Sequence, residues 1–215
     1  MTVRMAQAER AALCDTALQV GEDQPTLCGE WTVKDLVVHL LVRERSPAAV
    51  GIAVAPLARV TEAEMRRVGK ADFAELVERL RKGPPRWSPY AVPKLDQLLN
   101  TLEFFVHHED IRRSQPDWEP RELSDDEQRL LWSMVRTAGK QLVRSAPVGV
   151  WLRNATTGSE IVLKDAPAAA HGPVVVTGPP SELVMFAFGR QRHARVELTG
   201  PDDDVAALTG ASLGF

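Results

Sequence analysis

The spacing of apolar residues changes near residue 145, and this change constrains the fold more than any other feature. Up to that point apolar residues recur with the 3.6-residue period of helices, in stretches separated by connectors rich in Pro, Gly and Trp. Beyond it the apolar stretches are short, β-branched and bounded by Gly, Pro and Asn, as strands are. The sequence therefore predicts an α+β protein, with a helical domain at residues 1–145 and a small α/β domain at residues 146–215.

Five helices are expected in the first domain, and strands with intervening helices in the second. The predicted helices of the first domain are Thr2–Val20, Thr32–Arg45, Ala71–Lys82, Lys94–Arg113 and Ser124–Arg144. The predicted strands are Val148–Leu152, Ile161–Leu163, Val174–Thr177 and Arg195–Leu198. A helix at Ser181–Phe188 precedes the last strand, with Ser181 as its N-cap and Gly189 as its stop, and the acidic run at Asp202 opens a final helix.

Charge and cysteine content argue against several classes of protein. The 215 residues carry 26 Lys and Arg against 29 Asp and Glu, without a block of like charge, so a nucleic-acid-binding surface is not indicated. The two cysteines, Cys14 and Cys28, cannot build a disulfide framework, and Cys28 is expected to be a small buried hydrophobe. Neither a membrane span nor an export signal is recognisable, so we expect a cytoplasmic monomer or homodimer without a membrane partner.

The second predicted helix has a well-defined start and one narrow polar stripe. Thr32 and Asp35 stand three residues apart, close to a capping box. Apolar residues cover most of the helix, and Asp35, His39 and Arg43 follow one another at i, i+4 and i+8. A solvent-facing stripe on the outside of a bundle would show the same pattern, so this helix alone does not assign a role to His39.

The fourth predicted helix carries a longer polar stripe, four turns in length. Apolar residues flank the stripe on both sides, so it is expected to face the interior. Buried carboxylates and imidazoles are costly unless they are paired or bound to a metal, so the stripe needs a ligand or a network. His108 projects about 100° away from it and is expected to be exposed. The members of the stripe are Asp96, Asn100, Glu103, His107 and Asp110.

These two helices together offer a set of metal ligands. Glu103 and His107 are four residues apart, which aims both side chains at one point, and His39 adds a second nitrogen. Three such ligands are typical of catalytic zinc sites, and Ni, Co, Mn or Fe would also suit them. Asp110 is positioned to orient His107 or to act as a base. The alternative is a buried salt network among Asp96, Glu103, His107 and Arg43.

Two segments of the chain resemble the DinB-like metal-binding superfamily. They are LCGEWTVKDLVVH at residues 27–39 and EFFVHHED at residues 103–110. The branch they most resemble is the actinobacterial one that contains mycothiol-dependent maleylpyruvate isomerase, in which three side chains of a four-helix bundle hold a divalent metal. The matching positions here are His39, Glu103 and His107. The segments at residues 39–47 and 182–190 resemble a group of actinobacterial metal-binding proteins within the same branch.

The resemblance implies a DinB-like four-helix bundle with an extra helix, and a transferase or isomerase in which the metal activates mycothiol for attack on a small electrophile. Arg43 and Arg190 are then candidate anion-binding groups, although Arg190 is equally placed to cap the helix before it. Two alternatives remain: hydrolysis by metal-bound water with Asp110 or Asp35 as base, and a metal-binding or regulatory module without activity. His171 and His193 lack a partner carboxylate at fixed spacing and are expected at the surface.

Overall fold

The protein contains eight α-helices and one four-stranded sheet within the residues that the computed structural model describes, which confirms the predicted α+β class. The described residues are 2–47, 58–85, 88, 93–167 and 171–214, without the side chains of residues 2–4 and 93–99. They form two compact units, Met1–Glu119 and Pro120–Phe215. Among these residues no helix has both the length and the apolar character needed to cross a bilayer.

The first unit is built from helices that enclose one apolar core. Helix α1 packs mainly along α5, while α2 packs against α3 and α4. The core includes Leu13, Leu36, Leu40, Leu76 and Phe104, all excluded from solvent. The helices are α1 (Thr2–Val20), α2 (Val33–Arg45), α3 (Ala58–Val68), α4 (Phe73–Arg81) and α5 (Pro93–Arg112).

Helix α2 begins as predicted, and helix α3 is an addition to the prediction. The Thr32 hydroxyl accepts from the Asp35 backbone, and the Asp35 carboxylate accepts in return from the Thr32 backbone, so the capping box is complete. Helix α3 was not predicted because it is strongly charged and buries little of its surface. Met65 and Val68 pack on the core, and Thr61 is the buried residue of the helix, so few apolar positions mark α3 in the sequence.

The second unit combines helices with a mixed sheet of order β2-β1-β3-β4. Strand β1 pairs antiparallel with β2 and parallel with β3, which pairs antiparallel with β4. Its elements are α6 (Asp125–Leu142), β1 (Gly149–Asn154), β2 (Glu160–Lys164), β3 (Pro173–Gly178), α7 (Pro180–Ala187), β4 (Glu197–Thr199) and α8 (Asp202–Thr209).

Helix α6 belongs to this second unit, although its periodicity resembles that of the helices before it. It packs against α7 and β2. A Cβ atom on Gly139 would lie 2.7 Å from a methyl group of Leu163, so the glycine allows α6 to approach strand β2 closely. The unit therefore begins at Pro120, ahead of the change in residue pattern near residue 145, because packing and not periodicity assigns α6.

The expected cap of helix α7 is wrong, whereas its stop is confirmed. Pro179 occupies the N-cap position and Pro180 the first turn. The Ser181 backbone N–H donates to the Gln128 side chain at 3.0 Å, so Ser181 links α7 to α6 instead of capping its own helix. Gly189 has a φ of 87°, the left-handed conformation that ends many helices.

His108 is buried, which corrects the expectation that it is exposed. Its Nδ1 lies 2.9 Å from a Glu9 carboxylate oxygen and its Nε2 lies 3.0 Å from the Thr16 hydroxyl. Only 3% of His108 and 4% of Glu9 are accessible. The prediction failed because α1 packs along the face of α5 that carries His108, so this face is interior as well as the polar stripe.

We expect His108→Ala to lower the free energy of unfolding by about 3 kcal/mol, because it leaves the buried Glu9 carboxylate without this partner. Urea unfolding followed by circular dichroism measures the change. His171→Ala, at an exposed histidine, is the matched control and should leave the unfolding curve in place. Equal stability of the two variants would contradict a stabilising role for the His108 cluster.

Candidate metal centre

Helices α2 and α5 bring the three predicted ligands together. His39 from α2 and Glu103 and His107 from α5 each offer one ligand atom, and these atoms lie within 4.8 Å of one another. His107 Nε2 is 3.4 Å from Glu103 Oε2, and the two imidazole rings meet edge to face with centroids 5.6 Å apart. The i, i+4 spacing on α5 therefore does what the sequence pattern predicts: it directs two donors to one point.

Asp110 orients the His107 ring through Nδ1, the nitrogen that does not face Glu103. Its Nδ1 lies 2.9 Å from an oxygen of Asp110, which is completely buried at the next turn of α5. With a proton on Nδ1 donated to this carboxylate, Nε2 is the nitrogen that faces Glu103. Burial opposes a charged imidazole, but hydrogen bonds to Asp110, Cys28 and Glu103 raise the pKa of His107 well above its ordinary value.

Cys28 is a polar member of this cluster and not the small buried hydrophobe expected from sequence. It is half-buried, and its thiol donates to the same Asp110 oxygen at 3.1 Å. The sulfur lies 3.6 Å from His107 Nδ1, on the side of the ring away from the nitrogen that faces Glu103. Cys28, His107 and Asp110 therefore form a second group of possible ligand atoms, which shares His107 with the first.

His39 occupies an apolar and aromatic environment. The Trp31 ring lies against its imidazole, with centroids 4.9 Å apart. Burial, helped by the nearby positive charge of His107, lowers the pKa of His39 to about 4. His39 is therefore neutral at pH 7 and presents an unprotonated nitrogen, the form in which histidine binds metals.

Glu103 is the ionised member of the three. Burial alone would favour the neutral acid, but the hydrogen bond with His107 and the charge of Arg43 lower the pKa of Glu103 to about 2. Arg43 is itself buried, and its Nε lies 3.5 Å from Glu103 Oε2. The guanidinium that the sequence offered as an anion-binding group thus contacts a carboxylate of the chain itself.

The remaining predicted residues have other contacts. Asp35 is exposed and completes the capping box of α2 with Thr32, and the Asp96 side chain lies outside the described residues. Arg190 belongs to the second unit, where it donates to the carbonyl of Phe188 at 2.6 Å, the helix-capping alternative considered for it. His171 is exposed as predicted, whereas His193 is half-buried.

Two buried charged residues near the centre were missed by the sequence reading. Glu44 and Arg10 form a two-armed ion pair in which both nitrogen–oxygen distances are 2.6 Å. Asn100, a member of the predicted stripe, lies between this pair and Arg43. Glu44 follows Leu40 and Leu41 by four and three residues, so the helical period places it on the apolar face of α2, a signal of burial that could have identified it.

The donor set fits a divalent cation of the zinc type. Ligand atoms bound to zinc at about 2.0 to 2.1 Å with tetrahedral angles are about 3.4 Å apart, which is the separation of His107 Nε2 and Glu103 Oε2. One charged oxygen donor and two imidazoles, one of them held by a carboxylate, are a common catalytic combination. The arrangement equally satisfies the ligand preferences of Co, Ni, Mn and Fe.

Comparisons with known proteins show the fold to which this centre belongs. No known protein family model matches the chain, and no curated protein matches it in sequence. Two crystal structures match, one of mycothiol-dependent maleylpyruvate isomerase (TM-score 0.60, 15% identity) and one of a histidine-to-alanine mutant of that enzyme (TM-score 0.61, 14% identity). Each match covers 94% of both chains, so the resemblance predicted from the motifs is confirmed at the level of the fold.

We expect Asp110→Asn to weaken metal binding about tenfold to a hundredfold, because the neutral amide holds the Nδ1 proton of His107 less strongly. Titration calorimetry with Zn²⁺ on untagged protein measures the affinity. Asp15→Asn makes the same change at an exposed carboxylate of the same unit and should bind as the unmodified protein does. Identical affinities for the two variants would show that Asp110 does not support the ligand.

Metal affinity should rise with pH. The metal-free protein keeps a proton on His107, whose pKa is raised, whereas His39 has lost its proton above about pH 4. A cation must therefore displace about one proton near neutral pH, so the logarithm of the affinity should increase by about one per pH unit. Calorimetry in two buffers of different ionisation enthalpy counts the released protons. Binding that releases no proton would contradict this assignment.

Proposed function

We propose that the chain is a divalent-metal-dependent enzyme, with zinc as the metal, that uses mycothiol to isomerise a small electrophilic substrate or to transfer the thiol to it. The observation that carries this proposal is the convergence of the ligand atoms of His39, Glu103 and His107 within 4.8 Å. The fold shared with a mycothiol-dependent isomerase supports the choice of thiol.

The three side chains would hold the cation. When bound, it supplies a Lewis acid that lowers the pKa of a thiol, so that the thiol ionises at neutral pH. Glu103 contributes the one negative charge of the ligand set, which leaves the centre positive and favours an anionic sulfur in the remaining position. Cysteines of the chain do not compete there, because Cys14 is buried away from the centre and Cys28 faces the other nitrogen of His107.

The neighbouring residues prepare these ligands. Asp110 holds the Nδ1 proton of His107 and so fixes the nitrogen that binds. Trp31 covers one side of His39 and excludes water from it. The hydrogen bond with His107 and the charge of Arg43 keep Glu103 ionised, because they lower its pKa to about 2 against the effect of burial. Asp110 and Arg43 therefore act through the ligands, as positioning residues, and Arg190 remains a proposed anion-binding residue of the second unit.

The test measures both the metal content of the protein and its thiol-dependent turnover. Protein purified without a histidine tag should contain about one Zn²⁺ per chain, and His39→Ala and His107→Ala should each lose most of it, because two protein ligands hold zinc weakly. With mycothiol and a panel of electrophiles that includes maleylpyruvate, turnover should depend on both the thiol and the metal. His193→Ala, a histidine variant in the second unit, is the matched control and should keep its metal.

Each alternative predicts a different result. Metal content unchanged in both His39→Ala and His107→Ala would overturn the centre itself. Metal-dependent turnover without any thiol would assign a hydrolase instead. On a cobalt-loaded sample, mycothiol should add a thiolate-to-cobalt absorption band. Absence of that band, together with absence of turnover, would indicate a metal-binding module without thiol chemistry.

A further inference from the structure

Arg43 contacts both Asn100 and Glu103, and the two contacts differ in length. Its Nη1 donates to the Asn100 side-chain oxygen in a close contact, whereas its Nε is 3.5 Å from Glu103 Oε2. Charge-assisted hydrogen bonds between guanidinium and carboxylate measure about 2.8 Å. The contact of Arg43 with Glu103 is therefore longer than a full ion pair, whereas guanidinium groups in general can bind a carboxylate through two short hydrogen bonds.

Asn100 is held mainly by burial. Its side chain is excluded from solvent, and its amide nitrogen makes a long contact of 3.5 Å with Glu44 Oε1. Glu44 is held in turn by both arms of Arg10, while the Ser88 hydroxyl donates to its backbone carbonyl. The Arg10 guanidinium lies 4.3 Å over the ring of Phe104, so packing against this ring restrains Arg10.

Within the part of the chain that the structure describes, these contacts cross three helices. Two guanidinium groups and two carboxylates are joined through one amide. The order of contacts is Arg10 on α1, Glu44 on α2, Asn100 on α5, Arg43 on α2 and Glu103 on α5.

We propose that the buried Asn100 is a positioning residue that draws Arg43 away from Glu103 and so leaves the Glu103 carboxylate available to bind the metal. This inference rests on the proposed metal centre. Without Asn100, the Arg43 guanidinium closes onto Glu103 as a full ion pair and competes with the cation for the same oxygen. The contribution of Asn100 is therefore to metal affinity, through Arg43, and not to the fold alone.

The test is a double-mutant cycle on metal affinity, measured by titration calorimetry with Zn²⁺ alone. Asn100→Leu should lower the affinity at least tenfold, because the freed guanidinium competes for Glu103. In an Arg43→Met background the same substitution should change the affinity less than twofold, because the competitor is gone. Thr101→Val replaces the adjacent buried polar residue and should leave the affinity unchanged.

The outcomes separate this inference from the proposed function. If the unmodified protein and His107→Ala bind Zn²⁺ equally, the metal centre itself is wrong. If the unmodified protein binds and Asn100→Leu binds equally well, or loses affinity to the same extent with and without Arg43, the positioning role is overturned. Should Asn100→Leu fail to fold, Asn100→Ser shortens the side chain beyond the reach of Arg43 and carries the same two expectations.

Discussion

One face of helix α5 carries polar side chains into the interior of the first unit, and the candidate centre follows from satisfying them. The interior does not replace the hydration of a carboxylate or an imidazole, so each needs a partner at short range. Glu103 is bordered by His107 on its own helix and by Arg43 on α2, and Asp110 accepts from His107. The packing of α2 against this face is therefore tied to charge as well as to apolar contact.

The same helix is polar on the side that packs against α1. His108, Glu9 and Thr16 satisfy one another there, next to the candidate centre in sequence but on a different face of α5. Adjacent histidines thus have separate roles because successive residues of a helix point about 100° apart. The His108 imidazole joins α1 to α5, whereas the His107 imidazole faces Glu103 and His39.

The environments of the two cysteines bear on the source of a sulfur nucleophile at the proposed centre. Burial raises the pKa of the Cys14 thiol to about 12, and the sulfur is 3.7 Å from the carbonyl of Val77, so it is unreactive at neutral pH. Cys28 donates to Asp110 and lies behind His107. A sulfur nucleophile at the proposed centre would therefore come from a small-molecule thiol, which agrees with the proposed use of mycothiol.

The sequence by itself predicted most of the helices and strands and the candidate donor set. Local signals act within a few residues. Spacing alone was therefore enough to predict the capping box at Thr32, the extent of α1 and the common direction of Glu103 and His107. Their convergence with His39 was an expectation that needed the resemblance to known motifs, because periodicity does not say which helices are neighbours.

Tertiary structure decided everything that depends on which surfaces meet. The burial of His108, the place of α6 in the second unit and the contacts of Arg43 arise from helices distant in sequence. Glu44 and Arg10 are 34 residues apart, and no local pattern links them. A polar residue reads as exposed in a sequence whether or not another helix later covers it, and only packing distinguishes the two cases.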